Sequence, residues 1–428
     1  MGGAVSWARF AVLLGALLLA GCPGRDSAGP SRDGGANDGA AEAKSDANTA
    51  AAEAGIPWDP VWHDTTPKDW PTIGPEGQPD CGVGCRMLLN HAVPDGTGAY
   101  AFSYDTRRVV SEGFQVGPMV ATLDSMETTV FGPDPTSKQA QDAPYVAGHR
   151  VAYIRTFGVG DGQVEIMDLI TGEKKIVYKY APAQAGTNNA LRTALNSRYA
   201  FWAMDGKGLM SRDLQTGEIK VLMPGSFVCH DICATEHELV CADADSDAMY
   251  DVDLDAGKAG YLDYGGALQL EGFCSPDRTQ FVWIDYRDPP GRSSTDMFER
   301  SGGEVYLRDL AAHKTRRITY DSPDSPHGKI YPAVDGHFVY WNQTPDGPNQ
   351  NPGQAPDLYY LATTLVRFDL STGKKCELAN AAMSYKAAYG SELVHTWLDQ
   401  TKNEVRVVIT NLDHPGLNWQ CQTVAIPP

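Results

Sequence analysis

The chain has 428 residues, with 35 Lys and Arg against 54 Asp and Glu, and its net charge is −19. Proteins that bind nucleic acid need a basic footprint for the phosphate backbone, and polybasic docking on anionic lipid needs one too. The composition argues against both, so no nucleic-acid partner is expected.

The chain opens with a predicted signal peptide over residues 1–21. Arg9 supplies a positive charge, and the apolar stretch from Phe10 to Ala20 follows it. This stretch is too short for a hydrocarbon core of about 30 Å, which needs roughly 20 residues. The segment therefore predicts export and not a membrane-spanning helix.

The end of this segment, Leu19-Ala20-Gly21-Cys22, resembles a bacterial lipobox. The resemblance implies cleavage before Cys22 and lipid attachment to its sulfur, and several acyl chains would anchor the protein without spanning the bilayer. An ordinary signal peptide with an incidental cysteine is the alternative. Pro23 favours the outer membrane by the enterobacterial sorting rule. We therefore expect an exported bacterial lipoprotein of the outer membrane, at the cell surface or facing the periplasm.

Two segments of different composition precede the repeats. Residues 22–56 hold Cys22 and a stretch rich in Ala, Gly, Ser and Asp without aromatic residues, which predicts a disordered tether because little apolar surface can be buried. Residues 57–85 carry Trp58, Trp62, Trp70 and several prolines. This second segment is predicted to pack on the folded part without forming a regular strand or helix.

Over residues 86–428 a strand-like run ends repeatedly in an Asp-Leu pair and a turn. The clearest copies are Asp168 to Gly172, Asp213 to Gly217 and Asp369 to Gly373. The looser copies are Asp253-Leu254, Asp309-Leu310, Asn411-Leu412 and the inverted Leu123-Asp124. A period near forty-five with strand character predicts an all-β fold, a β-propeller of four-stranded antiparallel blades. The landmarks predict seven blades, or six if the inverted copy is spurious.

The first and the last unit of the repeat region are each predicted to contain four strands of their own. Arg86 to His91 is assigned to the first unit, and Asn418 to Ile426 to the last. No closing strand shared between the ends is then expected. The segment from Trp58 to Pro79 is an alternative candidate for sealing the ring.

An aromatic column recurs at one place in the predicted second strands. Its members are Tyr153, Trp202, Trp283, Trp341 and Trp397, and the matching positions in the other two units are Ser103 and Cys241. A row of tryptophans could form a carbohydrate platform. The recurrence favours packing between neighbouring blades instead, because large rings fill the wedge between sheets.

One stretch carries a family resemblance. Ser275-Pro276-Asp277-Arg278, with the strand up to Trp283, resembles the Ser-Pro-Asp-Gly turn and strand of TolB-like propeller repeats, and Arg278 stands where that family usually has Gly. The strand-Asp-Leu-x-Thr-Gly half is similar to the same family, and the resemblance spans about residues 86–428. It implies the propeller fold. The α/β domain that precedes the propeller in TolB has no room here, so TolB's own partners are not assigned.

Eight cysteines remain after Cys22, and an even number in an exported chain favours structural disulfides. They are Cys81, Cys85, Cys229, Cys233, Cys241, Cys274, Cys376 and Cys421. The spacing of Cys81 to Cys85 and of Cys229 to Cys233 could instead suggest metal pairs, although zinc pairs usually have other spacings. The sequence leaves the disulfide pairing open.

Two consecutive units are longer than the others, with 56 residues from Asp253 to Asp309 and 60 from Asp309 to Asp369. The extra residues, Asp288 to Gly303 and Thr344 to Thr363, are expected between the second and third strands of their units. There they would emerge on one face with the connection from Asp321 to Lys329. Long loops on a rigid scaffold are where binding tends to occur. The candidate binding residues are Tyr286, Arg287, Arg292, Arg300, Asp324, His327, Tyr359 and Tyr360.

Signals for a cofactor or for catalysis are weak. The aspartates Asp243, Asp245 and Asp247 could offer oxygens to Ca²⁺, and a hairpin turn with solvated aspartates explains them equally well. No other cofactor is expected. The motifs of a nucleophile elbow, a zinc protease and a phosphate-binding loop are absent. His230 with Asp231, or His395, would be a minimal general-base site if it reached the central channel, and a structural role is the alternative.

The sequence therefore predicts a membrane-anchored propeller that acts as a protein-interaction or ligand-binding module, with an envelope protein or glycan as its partner. The alternative is an envelope enzyme of the propeller type, a polysaccharide lyase or hydrolase acting in the central channel. Whether any catalysis occurs is left open by the sequence, which favours binding.

Overall fold

The structure is a computed structural model that describes the repeat region and the segment before it. The described residues are 57–70, 72–73, 81–89, 102–111, 119–131, 142–158, 161–180, 190–204, 207–224, 229–243, 248–262, 269–286, 303–321, 328–344, 363–379, 381, 384–399 and 404–424. The predicted signal peptide, Cys22 and the predicted tether lie outside them. No helix in this part of the chain is long and apolar enough to cross a bilayer.

The regular elements among the described residues are β-strands. In chain order they are β1 (Thr72–Ile73), β2 (Cys85–Leu89), β3 (Phe102–Tyr104), β4 (Arg108–Ser111), β5 (Met119–Thr122), β6 (Thr128–Val130), β7 (Asp142–Ala147), β8 (Arg150–Gly158), β9 (Asp161–Asp168), β10 (Lys174–Tyr180), β11 (Ala190–Leu195), β12 (Tyr199–Met204), β13 (Gly208–Asp213), β14 (Ile219–Met223), β15 (Cys229–Ala234), β16 (Glu238–Asp243), β17 (Ala248–Asp253), β18 (Lys258–Tyr261), β19 (Gln269–Cys274), β20 (Gln280–Asp285), β21 (Glu304–Asp309), β22 (Lys314–Arg317), β23 (Lys329–Val334), β24 (Phe338–Gln343), β25 (Thr364–Asp369), β26 (Lys374–Leu378), β27 (Ser384–Tyr389), β28 (Glu392–Asp399), β29 (Glu404–Asn411) and β30 (Gln420–Thr423).

These strands form seven antiparallel sheets, which confirms the all-β, seven-bladed propeller and excludes the six-bladed alternative. Blade one is β3 to β6 with β1 added. Blades two to five are β7 to β10, β11 to β14, β15 to β18 and β19 to β22. Blade six is β23 to β26 with β30 added, and blade seven is β27 to β29 with β2. The first strand of each blade contacts that of the next from β3 to β27, so these strands surround the central axis.

The two chain ends close the ring in a way that differs from the prediction. β2, which was assigned to the first unit, is the outermost strand of blade seven, where Cys85 pairs with Thr410 and Met87 with Val408. β30, which was assigned to the last unit, pairs with β26 of blade six. The alternation of residues within a strand does not determine which strand it pairs with. A strand from either end of the chain could therefore have occupied these edge positions. Blade seven is thus completed by a strand from the opposite end, which closes the ring non-locally.

The repeated landmark has the same hydrogen bond in every blade. In each copy the leucine N–H donates to a carbonyl of the turn between the first and second strands of the same blade, as Leu214 does to Arg198 at 2.7 Å. The other donors are Leu123, Leu169, Leu254, Leu310, Leu370 and Leu412. The inverted first copy is therefore a true landmark. We call the face with these turns the landmark face, and the opposite face, where the second-to-third-strand loops and the blade connections leave, the loop face.

The landmark aspartate and glycine close the turn between the third and fourth strands. In blade three Asp213 Oδ1 accepts the N–H groups of Gln215 and Thr216 at 2.8 and 3.0 Å, and Gly217 has a φ of 77°. A φ in this left-handed region favours glycine. In blades one and five Met126 and His313 occupy the glycine position, with φ values of 58° and 49°.

The aromatic column lies in the core, as predicted. Tyr153, Trp202, Trp283 and Trp341 are each at most 1% exposed, and the Trp397 side chain lies outside the described part. In blade four the equivalent Cys241 is fully buried in a disulfide. Rings and disulfide fill the wedges between blades, as close-packed interiors require.

Four disulfides use all eight predicted cysteines, which confirms the structural assignment. Cys81–Cys85 lies at the start of β2, and Cys229–Cys241 joins β15 to β16. Cys233–Cys274 joins the inner strands of blades four and five, and Cys376–Cys421 fixes β30 to β26. Disulfides persist in oxidising compartments, so this set indicates export.

Residues 57–70, which we call the strap, lie on the landmark turns of blades two and three. Trp58 Nε1 donates to the Leu214 carbonyl at 3.1 Å, and Lys68 N donates to Ile170 O at 3.1 Å. The Arg212 guanidinium lies 4.4 Å from the Trp58 ring centroid. A Cβ on Gly217 would come within 2.7 Å of Trp58. The landmark glycine thus provides the close approach that seats this tryptophan.

Candidate functional site

The two long inserts leave adjacent blades on the loop face. The first follows β20 in blade five and the second follows β24 in blade six, between the second and third strands in both cases. The connection from β22 to β23 lies between these two insert sites in the chain. Residues 287–302, 322–327 and 345–362 are outside the described residues. The structure therefore describes the residues that flank these three segments. We call the three segments together the loop sector, and the flanking residues their roots.

One of the predicted binding residues lies in the described part. Tyr286 is 7% exposed and packs with Ile284 and Trp341 in the wedge between blades five and six. Gly303, at the other end of the first insert, lies so close that a Cβ there would come within 2.7 Å of the Tyr286 ring. Tyr286 therefore supports the root of the insert. The others, which lie outside the described residues, are Arg287, Arg292, Arg300, Asp324, His327, Tyr359 and Tyr360.

A buried ionic network lies directly beneath the loop sector. Lys329, at the start of β23, is 1% exposed, and its Nζ lies 3.2 Å from Glu304 Oε2 and 2.7 Å from Asp321 Oδ2. Arg317 Nη2 donates to Glu304 Oε1 at 2.8 Å, and the Thr319 hydroxyl also bonds Glu304. Removing one member of such a buried set costs about 3–5 kcal/mol, because the remaining charge loses its partner. The network therefore fixes the start of β21 against the neighbouring blade.

The connection between blades five and six is hydrogen-bonded to both inserts' roots. At one end the Asp321 N–H donates to Glu304 Oε1 at 2.9 Å, next to the first insert. At the other end Gly328 N–H donates to Thr344 Oγ1 at 2.8 Å, and Thr344 N–H donates to Gly328 O at 2.9 Å. Thr344 is the residue that follows β24, where the second insert begins. The three segments of the loop sector thus start from one rigid base.

The landmark-face end of the central channel is crossed by Arg278. This residue follows β19 in blade five, with a φ of 60°. Its Nη2 donates to the Tyr104 carbonyl of blade one at 2.6 Å, and its guanidinium lies 4.5 Å from the Tyr145 ring centroid of blade two. Arg278 stands where TolB-like repeats usually have glycine. The backbone keeps the glycine conformation, and the side chain spans the ring.

Tyrosines complete this closure. The Tyr104 hydroxyl donates to the Cys274 carbonyl of blade five at 2.8 Å, and the Tyr145 hydroxyl accepts from Ala234 N of blade four at 2.9 Å. The Tyr389 hydroxyl donates to Asp105 O at 2.8 Å. Burial, and then the neighbouring Tyr104, raise the pKa of Tyr389 well above its ordinary value. These bonds run between different blades, so they fix the inner strands to one another at this end of the channel.

The histidines considered as channel bases occupy different positions. His395 lies on β28, the second strand of blade seven, and is 4% exposed. Its ring nitrogens lie 2.9 Å from Thr396 O and 3.0 Å from Thr410 Oγ1, which is the satisfied structural arrangement. His230 and Asp231 lie on the inner strand β15, and their side chains are outside the described residues.

Of the aspartates proposed for Ca²⁺, Asp243 is described, and it lies at the loop-face end of blade four. Asp243 ends β16 and pairs with Ala248 of β17, while Asp245 and Asp247 lie outside the described residues. The later aspartates of the same run have separate roles. Asp253 Oδ1 accepts N–H groups in its landmark turn, and Asp255 lies 2.8 Å from His237.

A second charged cluster lies in the wedge between blades four and five, and we call it the wedge cluster. It consists of Glu238 and Asp251 from blade four with Arg308 and His313 from blade five. Burial, and then the neighbouring Asp251, raise the pKa of Glu238 to about 7. Glu238, Asp251 and His313 each offer a ligand atom, and these atoms lie within 4.8 Å of one another.

Sequence reasoning missed the wedge cluster and the ionic network because their members come from different blades. One signal was available. His313 stands four residues after Asp309, where Gly172, Gly217, Gly257 and Gly373 stand in four other copies. A side chain other than glycine with a positive φ is uncommon, so this position is one to inspect.

Comparisons with known proteins identify the fold. No protein-family model matches the chain, and no curated protein matches it. Similar solved structures include an oligogalacturonate lyase in complex with manganese, with 15% identity over 81% of this chain and 98% of the other and a TM-score of 0.50. They also include TolB from Acinetobacter baumannii, with 12% identity over 77% and 68% and a TM-score of 0.37. The propeller fold that the TolB-like resemblance implied is confirmed by the seven antiparallel sheets, and the likeness to the lyase shows the fold alone.

Proposed function

We propose that this chain is a lipid-anchored β-propeller of the bacterial envelope that binds an envelope protein or glycan through the loop sector. The observation that carries the proposal is the common base of that sector. The connection between blades five and six is bonded to Glu304 at the root of one insert and to Thr344 at the root of the other. A rigid base under long loops reduces the conformational freedom lost when a partner binds.

The charges beneath the sector are paired internally. Glu304 is bonded by Lys329 and Arg317, and Asp321 is bonded by Lys329. These groups therefore act as scaffold, and recognition falls to the side chains of the inserts themselves. The first insert carries Arg292 and Arg300, and the second carries Tyr359 and Tyr360. Arginine and tyrosine are enriched among residues that dominate binding energy at interfaces.

The position of the strap supports an orientation for the anchored protein. The strap begins at Pro57 and lies on the landmark face, so the predicted tether joins the propeller there. The inserts leave the opposite face. A flexible tether of this length has a root-mean-square span of about 30 Å. An anchor at Cys22 would thus leave the loop sector free to meet a partner away from the lipid.

The alternative function, a polysaccharide lyase or hydrolase acting in the central channel, has weaker support. Arg278 and Tyr104 close the channel at the landmark face. The histidine considered as a base, His395, is bonded to Thr396 and Thr410 on the second strand of its blade. The likeness to an oligogalacturonate lyase is at the level of fold. Binding is therefore the function that the described geometry favours.

Site-specific photo-crosslinking in cells tests the proposal. A photoreactive phenylalanine analogue replaces Tyr359 in the second insert, and the matched control places it at Tyr261. Tyr261 is 60% exposed on β18, the outer strand of blade four, which carries neither insert. The expected result is a discrete adduct from position 359, identified by mass spectrometry as an envelope protein or a glycan, with no such adduct from position 261.

A deletion provides the second arm. Removing residues 349–357 shortens the insert outside both strands, so the ring should still fold while the adduct from position 359 is lost. Adducts of the same identity and yield from positions 359 and 261 would contradict the proposal. So would an adduct that persists unchanged in the deletion variant while circular dichroism and melting temperature show a native fold.

A further inference from the structure

The wedge cluster has two carboxylates held from one side by a single cation. Glu238 begins β16 and Asp251 lies on β17, and both face Arg308 of β21 in the next blade. Arg308 Nε and Nη2 lie 3.0 and 2.9 Å from Glu238 Oε1, and Nη2 lies 2.8 Å from Asp251 Oδ2. The guanidinium therefore fixes one oxygen of each carboxylate. Such outer contacts orient carboxylates that ligate metals.

The other oxygen of each carboxylate is buried without a hydrogen-bond donor. Glu238 Oε2 and Asp251 Oδ1 have no hydrogen-bond partner among the described residues, and the Glu238 side chain is 2% exposed. Leaving a buried charged acceptor without a donor is costly, so such atoms call for an explanation such as an ion. With Arg308 counted, the formal charge of the cluster is −1, which leaves room for a further positive charge.

His313 is the third candidate ligand. Its Nδ1 lies 3.4 Å from Glu238 Oε2 and 3.2 Å from Arg308 Nη2. A neutral imidazole nitrogen carries the lone pair that a metal ligand needs. The His313 side chain is 61% exposed and leaves the cluster open to solvent on that side. The φ of His313 is 49°, at a position where four equivalent turns have glycine. This conformation strains the backbone, and contacts of the side chain with solvent alone would not offset that strain.

We propose that the wedge cluster binds one divalent transition-metal ion, with Glu238, Asp251 and His313 as ligands and Arg308 as the residue that orients the carboxylates. Two carboxylate oxygens and one imidazole nitrogen suit Zn²⁺ or Mn²⁺, whereas Ca²⁺ takes oxygen ligands. The ligands come from both sides of the wedge, so the ion would join blade four to blade five. The Cys233–Cys274 disulfide joins the inner strands of the same two blades.

The test is metal titration of the purified full-length chain after treatment with a chelator. Isothermal titration calorimetry with Zn²⁺, Mn²⁺ and Ca²⁺ should give one saturable site per chain for Zn²⁺ or Mn²⁺ and weaker binding of Ca²⁺. The melting temperature should rise with the bound metal, because an ion that binds only the folded state stabilises it.

Two variants remove ligands with little risk to the fold. His313→Gly restores the residue of the sister turns and should keep or raise the metal-free melting temperature while weakening metal affinity at least about tenfold. Glu238→Gln keeps the shape of the side chain and should weaken affinity similarly. Two matched controls accompany them. Met126→Gly makes the same turn change in blade one, and His237→Asn alters an exposed histidine of blade four. Both should bind metal like the wild type.

Three results would overturn the proposal. The first is no saturable site for Zn²⁺ or Mn²⁺ in the folded wild-type chain. The second is unchanged affinity in folded His313→Gly and Glu238→Gln. The third is proton uptake at the carboxylates without metal binding, which would show that a shared proton satisfies the two orphaned oxygens.

Discussion

Arg278 Nη2 of blade five donates a hydrogen bond across the ring to the backbone carbonyl of Tyr104 in blade one, at a distance of 2.6 Å. The Tyr104 hydroxyl returns a bond to Cys274 of blade five at 2.8 Å. In a seven-membered ring, blade five lies opposite blades one and two. The pair therefore connects opposite sides of the channel, and the bond between Tyr145 and Ala234 joins blades two and four at the same end.

We expect Arg278→Ala to destabilise the protein by about 2–4 kcal/mol. The change removes a hydrogen bond to a charged donor, worth about 1.5–3 kcal/mol, and the stack on Tyr145, worth about 0.5–2 kcal/mol, while the strained φ stays. Urea unfolding measures the loss. Arg198→Ala is the control, because Arg198 is 55% exposed and solvent screens its pair with Asp213, so this change should destabilise far less. Equal stability of the two variants would show that the cross-channel bond is not stabilising.

Truncating a ring of the aromatic column should be costlier. Trp341 is 1% exposed and packs with Val339 and Phe368 in the wedge between blades. Trp341→Ala should lower the free energy of unfolding by about 3–5 kcal/mol through lost burial and the cavity left behind. Tyr261→Ala, at a ring that is 60% exposed, should change it by less than about 1 kcal/mol. A near-neutral Trp341→Ala would place the column outside the core.

The disulfides should differ in their effects according to the chain they enclose. Cys376 and Cys421 are 45 residues apart, so replacing both by Ser should cost about 4 kcal/mol in the chain-entropy model. Cys81 and Cys85 are 4 residues apart, and the same double change there should cost about 2 kcal/mol. Equilibrium unfolding of the two double variants under oxidising conditions measures the difference. The reverse order would show that β30 is held to blade six by its strand pairing alone.

The repeat made the fold predictable because each landmark closes its own turn. Asp213 bonds Gln215 and Thr216, and the Leu214 N–H bonds a turn 16 residues earlier. Such contacts are local and recur, so a single sequence displays them. The blade count followed directly from the seven landmarks.

The chain ends and the charged clusters were not predictable in the same way. Cys85 pairs with Thr410, and Arg308 reaches back to Glu238 in the preceding blade. These pairings depend on the angle between neighbouring sheets and on which sheet edge lacks a strand. The alternation of residues within one strand determines neither. His313 at a glycine position was the one local trace of the wedge cluster.

Acid should weaken the landmark turn of blade six. Hydrogen bonds from the Ser371 hydroxyl and from the Ser371 and Thr372 N–H groups hold the pKa of Asp369 at about 2. Since this folded-state pKa lies below the unfolded value, the stabilisation is present above about pH 4 and is lost as the pH falls toward 2. Asp369→Asn should be less stable than the wild type at pH 6, and the difference should shrink steadily as the pH falls to 2, where the folded-state carboxyl is about half protonated.

Urea unfolding at a series of pH values measures this difference. Ser371→Ala is the companion variant, because it removes the hydroxyl and keeps the carboxylate. Its stability should fall on acidification at a higher pH than that of the wild type, since the pKa of Asp369 loses its largest depressing contact. A constant gap between wild type and Asp369→Asn from pH 6 to pH 2 would show that the charge does not contribute.

The membrane anchor can be tested at the predicted lipidation site. Cys22→Ser removes the sulfur that would carry the lipid, so the protein should move from the membrane fraction to the soluble fraction, because the acyl chains supply the binding energy. Pro23→Asp is the matched control. It leaves the cysteine in place, so the protein should stay in the membrane fraction, and in an enteric host it should shift to the inner membrane. Unchanged fractionation of Cys22→Ser would leave the proposed anchor without its chemical basis. The protein would then be held in the membrane fraction by something other than a lipid on Cys22.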